Sequence, residues 1–406
     1  MRRSTKFLWP LPPLVLALCL AFAPLCVAQA KGEGWYAAWG TSQQGLDPTV
    51  LSDTTLRMIA RPTLAGTQVR VTLQNTFGTT PLVVGAAKVG ARINAAQLAP
   101  GSNTAITFGG SSSVTIPAGG AVTSDPVAFS VQAWQDIAVS LYLPAAAGQA
   151  SRHSNARKTS YLAAAGAGDR TGDESAAAFT LTTTSMLVLA AIDVYSPADG
   201  AIVFFGDSIT DGTATTTDGH DRWHDIFALR LILDEKGKTR LGTVNEGIGG
   251  NRVTNVIPGA SPAAVDRLDR DVLARSGATH VVFFEGTNDI AAGVTADQLI
   301  AGMQNVIDRV HQARLPIFCS TIIPRHNATW TAQMTEYRHV VNDWIRNRAN
   351  CDGVIDFDAV MRSPDNPDLM HPLLDFGDHI HPNPFGYFVM GRAVEQKLLE
   401  KHIVVK

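Results

Sequence analysis

The sequence predicts an α/β domain built on a parallel sheet, preceded by a domain of antiparallel β-strands. From about residue 200 onward, continuous apolar runs such as residues 201–205 alternate with segments of helical periodicity. Apolar side chains on both faces of a strand are typical of a parallel sheet that helices cover on each side. Before residue 196, runs such as residues 69–75 alternate apolar and polar side chains, which indicates strands with one buried face.

The order of these segments defines both domains. Strands are predicted at residues 201–205, 279–284, 316–319 and 353–357, and helices at residues 223–236, 296–313, 331–348 and 385–401. Strands that alternate with helices predict βαβ units and a parallel sheet. Residues 50–195 contain many short strands separated by turn residues, which predicts an antiparallel β-sandwich with a jelly-roll-like arrangement.

The N-terminus is typical of a secretory signal peptide. Three basic residues precede an apolar run over residues 7–27, and the small-x-small sequence Ala28-Gln29-Ala30 follows it. This pattern predicts cleavage after Ala30 and export to the periplasm or the extracellular space. A permanent anchor is the alternative, which the prolines in the run and the cleavage site disfavour. We therefore predict a signal peptide over residues 1–30, a β-sandwich over residues 31–196 and an α/β domain over residues 197–406.

The composition argues against nucleic acid and anionic membranes as partners. The 406 residues carry a formal net charge of −3. Cleavage would remove three basic residues and no acidic one, which changes the net charge to −6. Since nucleic-acid-binding domains are usually basic, we expect no nucleic-acid partner. The absence of a second long apolar run predicts no integral membrane segment after cleavage.

The two cysteines beyond the predicted signal peptide are Cys319 and Cys351. Export permits a disulfide between them. The apolar run around Cys319 equally fits a buried free thiol, so the sequence leaves both states open. No Cys-x-x-Cys pair is present, which disfavours a structural zinc site.

A serine stands where the first strand of the α/β domain ends, in Gly206-Asp207-Ser208. Functional groups of parallel sheets gather at the carboxyl ends of the strands, so Ser208 is a candidate nucleophile. Serine is equally common as a helix cap, which is the alternative interpretation. The chain has no Gly-x-Ser-x-Gly sequence, which argues against an ordinary α/β-hydrolase elbow.

Near the C-terminus, Asp378 and His381 stand three residues apart. A carboxylate at this spacing can fix the tautomer of the imidazole while the other ring nitrogen faces a serine. The alternative is a metal site formed by Asp378, His379 and His381, with His371 as a further ligand.

Acyl transfer also needs hydrogen-bond donors for the developing oxyanion. Residues 245–251 contain Gly250 and its neighbouring glycines, which let a backbone N–H approach a reacting centre. Residues 286–289 contain Asn288, whose amide is a donor. Both segments are also consistent with ordinary strand-to-helix turns.

Taken in order, these four segments resemble the four blocks of the SGNH/GDSL hydrolases over about residues 200–400. The resemblance implies that Ser208 is the nucleophile and Asp378 and His381 complete the triad. It also implies that Ser208, Gly250 and Asn288 donate to the oxyanion, and that the sheet is a flavodoxin-like three-layer one. Glu285, which precedes the third block, differs from many relatives, and it either shapes the pocket or ties down a loop.

The N-terminal domain is similar to that of some secreted microbial SGNH proteins, through Trp35, Trp39 and the Asn75-to-Gly78 turn. Together the resemblances imply a secreted serine esterase that works through an acyl-enzyme, without a metal or another cofactor. We expect short-acyl, chiefly acetyl, esters of extracellular polysaccharide as substrates. The alternatives are a lipid or aryl esterase, an acyltransferase with the same triad, and a non-catalytic glycan-binding protein. Residues 197–406 contain every residue that this chemistry is expected to need.

Overall fold

The computed structural model describes Met1 and residues 33–144, 148–233 and 240–396. Apart from Met1, the predicted signal peptide over residues 1–30 lies outside the described residues. From Glu33 onward the described residues form one compact unit. Within these ranges, no helix combines the length and the apolar character needed to cross a membrane. We refer to residues 33–196 as the N-terminal part and to residues 197–396 as the α/β part, a division that stays a prediction.

The N-terminal part consists of β-strands joined by turns and loops. In chain order the strands are β1 (Gly34–Gly40), β2 (Gly45–Leu51), β3 (Thr54–Ala60), β4 (Gly66–Gln74), β5 (Leu82–Val84), β6 (Ala86–Asn94), β7 (Gln97–Leu98), β8 (Thr104–Ile106), β9 (Val114–Ile116), β10 (Ala121–Thr123), β11 (Val127–Val131), β12 (Ile137–Leu143), β13 (Gly148–His153), β14 (Ser160–Leu162), β15 (Leu181–Thr183), β16 (Met186–Leu187) and β17 (Leu189–Ser196).

These strands form two larger antiparallel sheets and two small ones. One larger sheet has the order β1-β17-β4-β10, with β11 also paired to β4, and the other has the order β15-β14-β3-β12-β6-β7, with β8 on β6. Strands β16, β13 and β2 form a third sheet, and β5 pairs with β9. Leu56 and Val139 of one larger sheet share a core with Val71 and Ile192 of the other. This strand-rich arrangement agrees with the predicted sandwich, whereas its jelly-roll-like topology stays a prediction.

The α/β part alternates strands and helices as the sequence predicts. Its elements are β18 (Gly200–Gly206), α1 (Ser208–Asp211), α2 (Trp223–Ile232), β19 (Leu241–Gly247), α3 (Ala264–Leu268), a π-helical turn (Asp269–Leu273), β20 (Ala278–Phe284), α4 (Thr287–Ala291), α5 (Ala296–Gln312), β21 (Ile317–Ser320), α6 (Ala332–Asn347), β22 (Gly353–Ile355), α7 (Phe357–Met361) and α8 (Pro384–Ala393).

The five strands of the α/β part form a parallel sheet in the order β19-β18-β20-β21-β22. Strand β18 lies inside the sheet and is buried on both faces. Val203 and Phe205 pack in a core with α5 and α6, whereas Ile202 and Phe204 pack in a core with α2, α7 and α8. Burial on both faces explains the continuous apolar run, and the predicted parallel sheet is confirmed.

Capping residues explain where the two long helices begin. Thr295 and Thr331 accept hydrogen bonds from the backbone N–H groups of Gln298 and Met334, and these bonds satisfy donors that the first helical turn leaves free. Helices α5 and α6 therefore match the predictions to within one residue at each end. Helix α2 ends at Ile232, before the predicted end at residue 236, and α8 ends at Ala393. Residues 397–401 of the last predicted helix lie outside the described residues.

Cys319 of β21 and Cys351, just before the edge strand β22, form a disulfide with their Cα atoms 6.0 Å apart. The bond joins β21 to the segment just before its neighbour β22, across 32 residues of chain. In the chain-entropy view, a cross-link of this span stabilises the fold by about 3–4 kcal/mol. Of the two states that the sequence left open, the structure therefore has the disulfide.

The N-terminal part packs directly on the α/β part. The N–H of Ala37 in β1 donates to the carbonyl of Ser276 at 2.8 Å, and the Ala37 side chain belongs to the core beneath α5 and α6. Farther along, the N–H of Thr243 at the beginning of β19 donates to Thr63 Oγ1 at 2.8 Å. Hydrogen bonds and apolar contacts thus hold the N-terminal part against the α/β part.

Candidate active site

The candidate site lies where the central strands of the parallel sheet end. Ser208 follows β18, and the two neighbours of β18 in the sheet are β19 and β20. The glycine-rich segment that contains Gly250 follows β19, and Asn288 follows β20. Because the strands are parallel, all three segments leave the sheet at the same edge.

Ser208 is the first residue of the short helix α1, and its neighbour Asp207 is the cap. Asp207 Oδ1 accepts a 2.9 Å hydrogen bond from the N–H of Ile209, so the alternative that Ser208 caps the helix is wrong. Gly206 lets the end of β18 pack closely against β20, because a Cβ there would come within 2.3 Å of the carbonyl oxygen of Phe284. The Ser208 hydroxyl is thereby left for another partner.

That partner is His381, whose Nε2 lies 2.9 Å from Ser208 Oγ. On the other side of the ring, His381 Nδ1 lies 2.6 Å from Asp378 Oδ2. Asp378 Oδ1 accepts hydrogen bonds of 2.9 Å from the N–H groups of Ile380 and His381. Partial burial would raise the pKa of Asp378, but the hydrogen bonds from His381 and the backbone outweigh it and lower the pKa. The structure thus joins the three predicted triad residues in one hydrogen-bonded chain.

Gly250 lies on an exposed turn in a left-handed conformation, with φ of 72°. The N–H groups of Gly247, Ile248, Gly249 and Asn251 all donate to acceptors within the chain. Among the described residues, the Gly250 N–H makes no such hydrogen bond. A backbone N–H that has no partner, between neighbours that are all hydrogen-bonded, is suited to donate to the oxygen of a substrate on which negative charge develops.

Asn288 lies in α4, and its side chain reaches the same turn. Asn288 Nδ2 donates a 2.9 Å hydrogen bond to the carbonyl of Asn251, the residue after Gly250. The next residue, Asp289, accepts hydrogen bonds from the N–H groups of Val253 and Thr254 at 2.8 and 3.0 Å. The structure therefore brings the two predicted oxyanion segments together, and Asp289 fastens one to the other.

Two carboxyl groups lie buried behind Ser208. Burial raises the pKa of Asp207 to about 7. The negative charge of nearby Asp289 raises this pKa further, whereas the hydrogen bond from the Ile209 N–H lowers it. Burial also raises the pKa of Glu285 well above its ordinary value. Neither carboxyl oxygen of Glu285 has a hydrogen-bond partner among the described residues, and the nearest cation is Arg267, 4.0 Å from Oε2. Glu285 is thus enclosed beneath the site and takes no part in fastening a loop by hydrogen bonds.

Arg267 is the main functional neighbour that the sequence did not predict. The side chain is fully buried and lies over the ring of Phe205 at 4.2 Å. It donates to the Gly206 carbonyl at 2.9 Å and to Asn251 Oδ1 at 2.8 Å. A single guanidinium thereby holds the strand end before Ser208 and the turn after Gly250, and no local motif marks it.

The residues that lie close enough together to bind a metal ion are not the set that the sequence offered as a metal site. Within the described ranges, His326, Asp375 and His379 have ligand atoms that all lie within 4.8 Å of one another. His371 and His381 are not part of this group. The imidazole rings of His326 and His379 stack with their centroids 4.3 Å apart, and His379 Nδ1 lies 2.6 Å from Asp375 Oδ2.

The segment that carries Asp378 and His381 also exposes large apolar side chains. The N–H of Phe376 donates to the carbonyl of His381 at 3.0 Å, so Phe376 lies directly beside the triad. Phe376, Leu373, Phe385 and Phe388 are each between 45% and 70% exposed. The two phenylalanines of α8 lie with their rings nearly parallel. An apolar surface therefore adjoins the candidate site.

Comparison with known proteins shows which family the α/β part is similar to. A model of the GDSL-like lipase/acylhydrolase family matches residues 204–388, which include Ser208, Gly250, Asn288, Asp378 and His381. No curated protein matches the sequence.

Several solved structures are similar to about half of the chain. A GDSL-like lipase from Bacteroides thetaiotaomicron VPI-5482 shares 19% identity at a TM-score of 0.39, over 50% of this chain and 89% of its own. A member of the lipolytic G-D-S-L family from Veillonella parvula DSM 2008 shares 19% identity at a TM-score of 0.38, over 48% of this chain and 94% of its own. A carbohydrate acetylesterase from Sinorhizobium meliloti shares 15% identity at a TM-score of 0.40, over 50% of this chain and 99% of its own.

Proposed function

The chain contains a domain of the GDSL-like lipase/acylhydrolase family and is a carboxylic ester hydrolase, and from this premise we propose that Ser208, His381 and Asp378 are its catalytic triad. The hydrogen-bonded chain from Ser208 Oγ through the His381 ring to Asp378 is the observation that carries the proposal. In this arrangement the carboxylate holds a proton on Nδ1, so Nε2 is free to accept the serine proton.

The reaction proceeds in two halves. Ser208 Oγ attacks the ester carbonyl carbon while His381 Nε2 accepts the hydroxyl proton, and the alcohol leaves with that proton as the tetrahedral intermediate collapses. A water molecule then attacks the acyl-enzyme, giving its proton to His381, and the carboxylic acid is released as Ser208 regains its proton. These steps require no metal and no other cofactor.

The proposed oxyanion donors are the N–H of Ser208, the N–H of Gly250 and the side-chain amide of Asn288. As the first residue of α1, Ser208 has an N–H for which the helix supplies no acceptor. The unengaged N–H of Gly250 supports the second assignment, and the contact of Asn288 with the same turn supports the third. Such donors act chiefly on the charge that develops at the transition state.

Active-site labelling tests the nucleophile. A fluorophosphonate should phosphonylate one residue of the native enzyme, and peptide mass spectrometry should identify it as Ser208. Ser151→Ala serves as the matched control, because Ser151 is a buried serine of β13 whose hydroxyl binds a backbone N–H. Labelling that persists in Ser208→Ala would contradict the assignment.

For the substrate, we propose short-acyl esters, chiefly acetyl groups on extracellular polysaccharide. The support is the combination of an esterase part with a strand-rich part, which some carbohydrate esterases share. The proposal includes export by the predicted signal peptide and a flavodoxin-like three-layer sheet. The strand order β19-β18-β20-β21-β22, or 2-1-3-4-5 within the sheet, supports the latter.

A lipid or aryl ester is the second candidate substrate, and the exposed apolar surface beside the triad favours it. Phe376 adjoins His381, and Leu373, Phe385 and Phe388 are further exposed apolar side chains of the same region of the chain. A panel of acetylated glycans, feruloyl esters, long-chain esters and phospholipids separates the candidates through kcat/KM. Highest values on acetylated glycan would support the first proposal. A preference for long-chain or aryl esters that Phe376→Ser removes would support the second.

A further inference from the structure

A histidine of the N-terminal part reaches the helix that begins with Ser208. His153 ends β13 and is 2% exposed. Its Nδ1 lies 2.8 Å from the carbonyl oxygen of Ser42, and its Nε2 lies 3.0 Å from Asp211 Oδ1. A carbonyl and a carboxylate both accept hydrogen bonds, so a ring between them must donate from both nitrogens. The contact is therefore a buried pair with the geometry expected of an imidazolium and a carboxylate, between residues 58 positions apart.

Asp211 joins this pair to the candidate site. It is the last residue of α1, whose first residue is Ser208. While Oδ1 contacts His153, Asp211 Oδ2 accepts a 3.1 Å hydrogen bond from the N–H of Gly249, the residue before Gly250. One carboxylate thus lies between a side chain of the N-terminal part and the turn that presents the proposed oxyanion donor.

The contact between His153 and Asp211 is electrostatic and not only a packing contact. Burial of the ring would lower the pKa of His153, but the charge of Asp211 and the hydrogen bonds to Asp211 and Ser42 outweigh it and raise the pKa. A buried carboxylate that lost its cationic partner would take up a proton or draw in water. In either case Oδ2 would hold the Gly249 N–H less firmly.

A second contact from the N-terminal part reaches the same turn from its other end. Arg267 Nη1 donates to Ser42 Oγ at 3.0 Å, and Arg267 Nε donates to Asn251 Oδ1 at 2.8 Å. The Ser42 residue whose carbonyl binds His153 therefore also contacts the arginine that holds Asn251. Gly250 lies between the two fastened residues, Gly249 and Asn251.

We propose that His153 is a positioning residue for the oxyanion donors: it fixes Asp211, and through Asp211 the turn that presents the Gly250 N–H. This inference rests on the proposed function, in which that N–H receives the oxyanion. Donors accelerate acyl transfer only when they are already aimed at the position where charge develops, and a misplacement of about 1 Å can cost about 10²-fold in rate. The N-terminal part thereby contributes to the active site by holding the proposed oxyanion donor in place.

The test is His153→Ala in the full chain, with p-nitrophenyl acetate as substrate. We expect kcat to fall by about 10- to 100-fold with KM nearly unchanged, less than the loss expected when a donor itself is removed. An alkyl boronic acid, which forms a tetrahedral adduct with the serine, should bind more weakly by a similar factor. His153→Gln can still donate to Asp211, so it should recover part of kcat, and it provides a second test if His153→Ala fails to fold.

Thr63→Val is the matched control. Thr63 is buried in the same interface, but it binds Thr243 at the opposite end of β19. We expect it to lower the melting temperature while kcat and boronic acid affinity stay within about threefold of wild type, as for distant independent sites. A folded His153→Ala or His153→Gln variant with wild-type kcat, or an equal kcat loss in Thr63→Val, would overturn the inference.

Ser208→Ala in the same assay separates this inference from the proposed function. If Ser208→Ala keeps its turnover, the triad assignment fails, and the inference fails with it. If Ser208→Ala is inactive while the His153 variants turn over normally, the triad assignment remains and only the positioning role of His153 is wrong.

Discussion

The side-chain amide of Asn288 donates to the carbonyl of Asn251 at 2.9 Å, one residue beyond Gly250. This bond fixes the direction of the amide before any substrate is present. Asn288 has a second N–H on the same nitrogen, so it can keep this bond and still donate to an oxyanion. The contact therefore orients the proposed donor as well as fastening the turn.

Asn288→Ala should lower kcat by about 10²–10³-fold with a much smaller change in KM, because the donor acts mainly on charge at the transition state. Steady-state kinetics on p-nitrophenyl acetate measures both constants. Asn347→Ala is the control, since Asn347 lies exposed on α6 and bonds Asp343. An effect confined to KM would make Asn288 a substrate-binding residue instead.

Ser208→Ala should lower kcat by about 10⁴-fold or more while the fold is retained, as when triad residues are removed from other serine hydrolases. The physical reason is the loss of the oxygen that would form the acyl-enzyme. Circular dichroism and thermal unfolding establish that the variant is folded. Turnover close to wild type in a folded variant would refute the assignment of the nucleophile.

Local patterns in the sequence predicted the parallel sheet and the long helices. The apolar run of β18 reflects burial on both faces, and Thr331 marks the start of α6 because it caps that helix. The four motif segments were likewise predictable, since each follows a strand or precedes a helix. The structure shows how they meet at one edge of the sheet.

Contacts between distant parts of the chain were not predictable in this way. His153 and Arg267 stand in segments with no motif, and their partners lie 58 residues away at Asp211 and 225 residues away at Ser42. Only the packing of the N-terminal part on β19 brings these groups together. If His153 positions the oxyanion donors as we propose, residues 197–406 lack two residues that support the site, His153 and Ser42.

Asp207→Asn should change how stability depends on pH. The folded-state pKa of Asp207 is about 7, above the unfolded value of about 3.9. Its contribution to stability is therefore complete below about pH 4 and is lost as pH rises toward 7. Asparagine keeps the cap acceptor for Ile209 but does not titrate. The free energy of unfolding of the variant relative to wild type should therefore rise between pH 4 and 7.

Urea unfolding over this pH range measures the effect, and Asp125→Asn is the control. Hydrogen bonds from Gly110 and Thr107 lower the pKa of Asp125, so its contribution is already complete above the unfolded pKa. The stability difference between Asp125→Asn and wild type should be constant from pH 5 to 7, the part of this range that lies above the unfolded pKa. If the stability difference between Asp207→Asn and wild type were also independent of pH, the raised pKa of Asp207 would be contradicted.

Extended dialysis against EDTA should leave activity unchanged, because the proposed mechanism uses the triad and the oxyanion donors and has no step that needs a metal ion. The group formed by His326, Asp375 and His379 makes this test necessary, since it could bind an ion close to the triad. Metal content by mass spectrometry should accompany the assay. Activity lost on chelation and restored by zinc, but not in His379→Ala, would assign that group a role in the reaction.

A fragment of residues 197–406 should lose activity even on p-nitrophenyl acetate, by about 10²-fold or more in kcat/KM. The fragment retains the triad and all three proposed oxyanion donors, so a purely local view predicts full activity on a small ester. It lacks His153 and Ser42, however, and Asp211 and Arg267 would then face water instead of their buried partners. Donors that are no longer held in place accelerate the reaction less. Co-expression with residues 31–196 as a separate chain should restore turnover, and His153→Ala in that second chain should prevent the recovery. A soluble, monomeric fragment with wild-type kcat/KM on p-nitrophenyl acetate would show that the α/β part builds its active site alone.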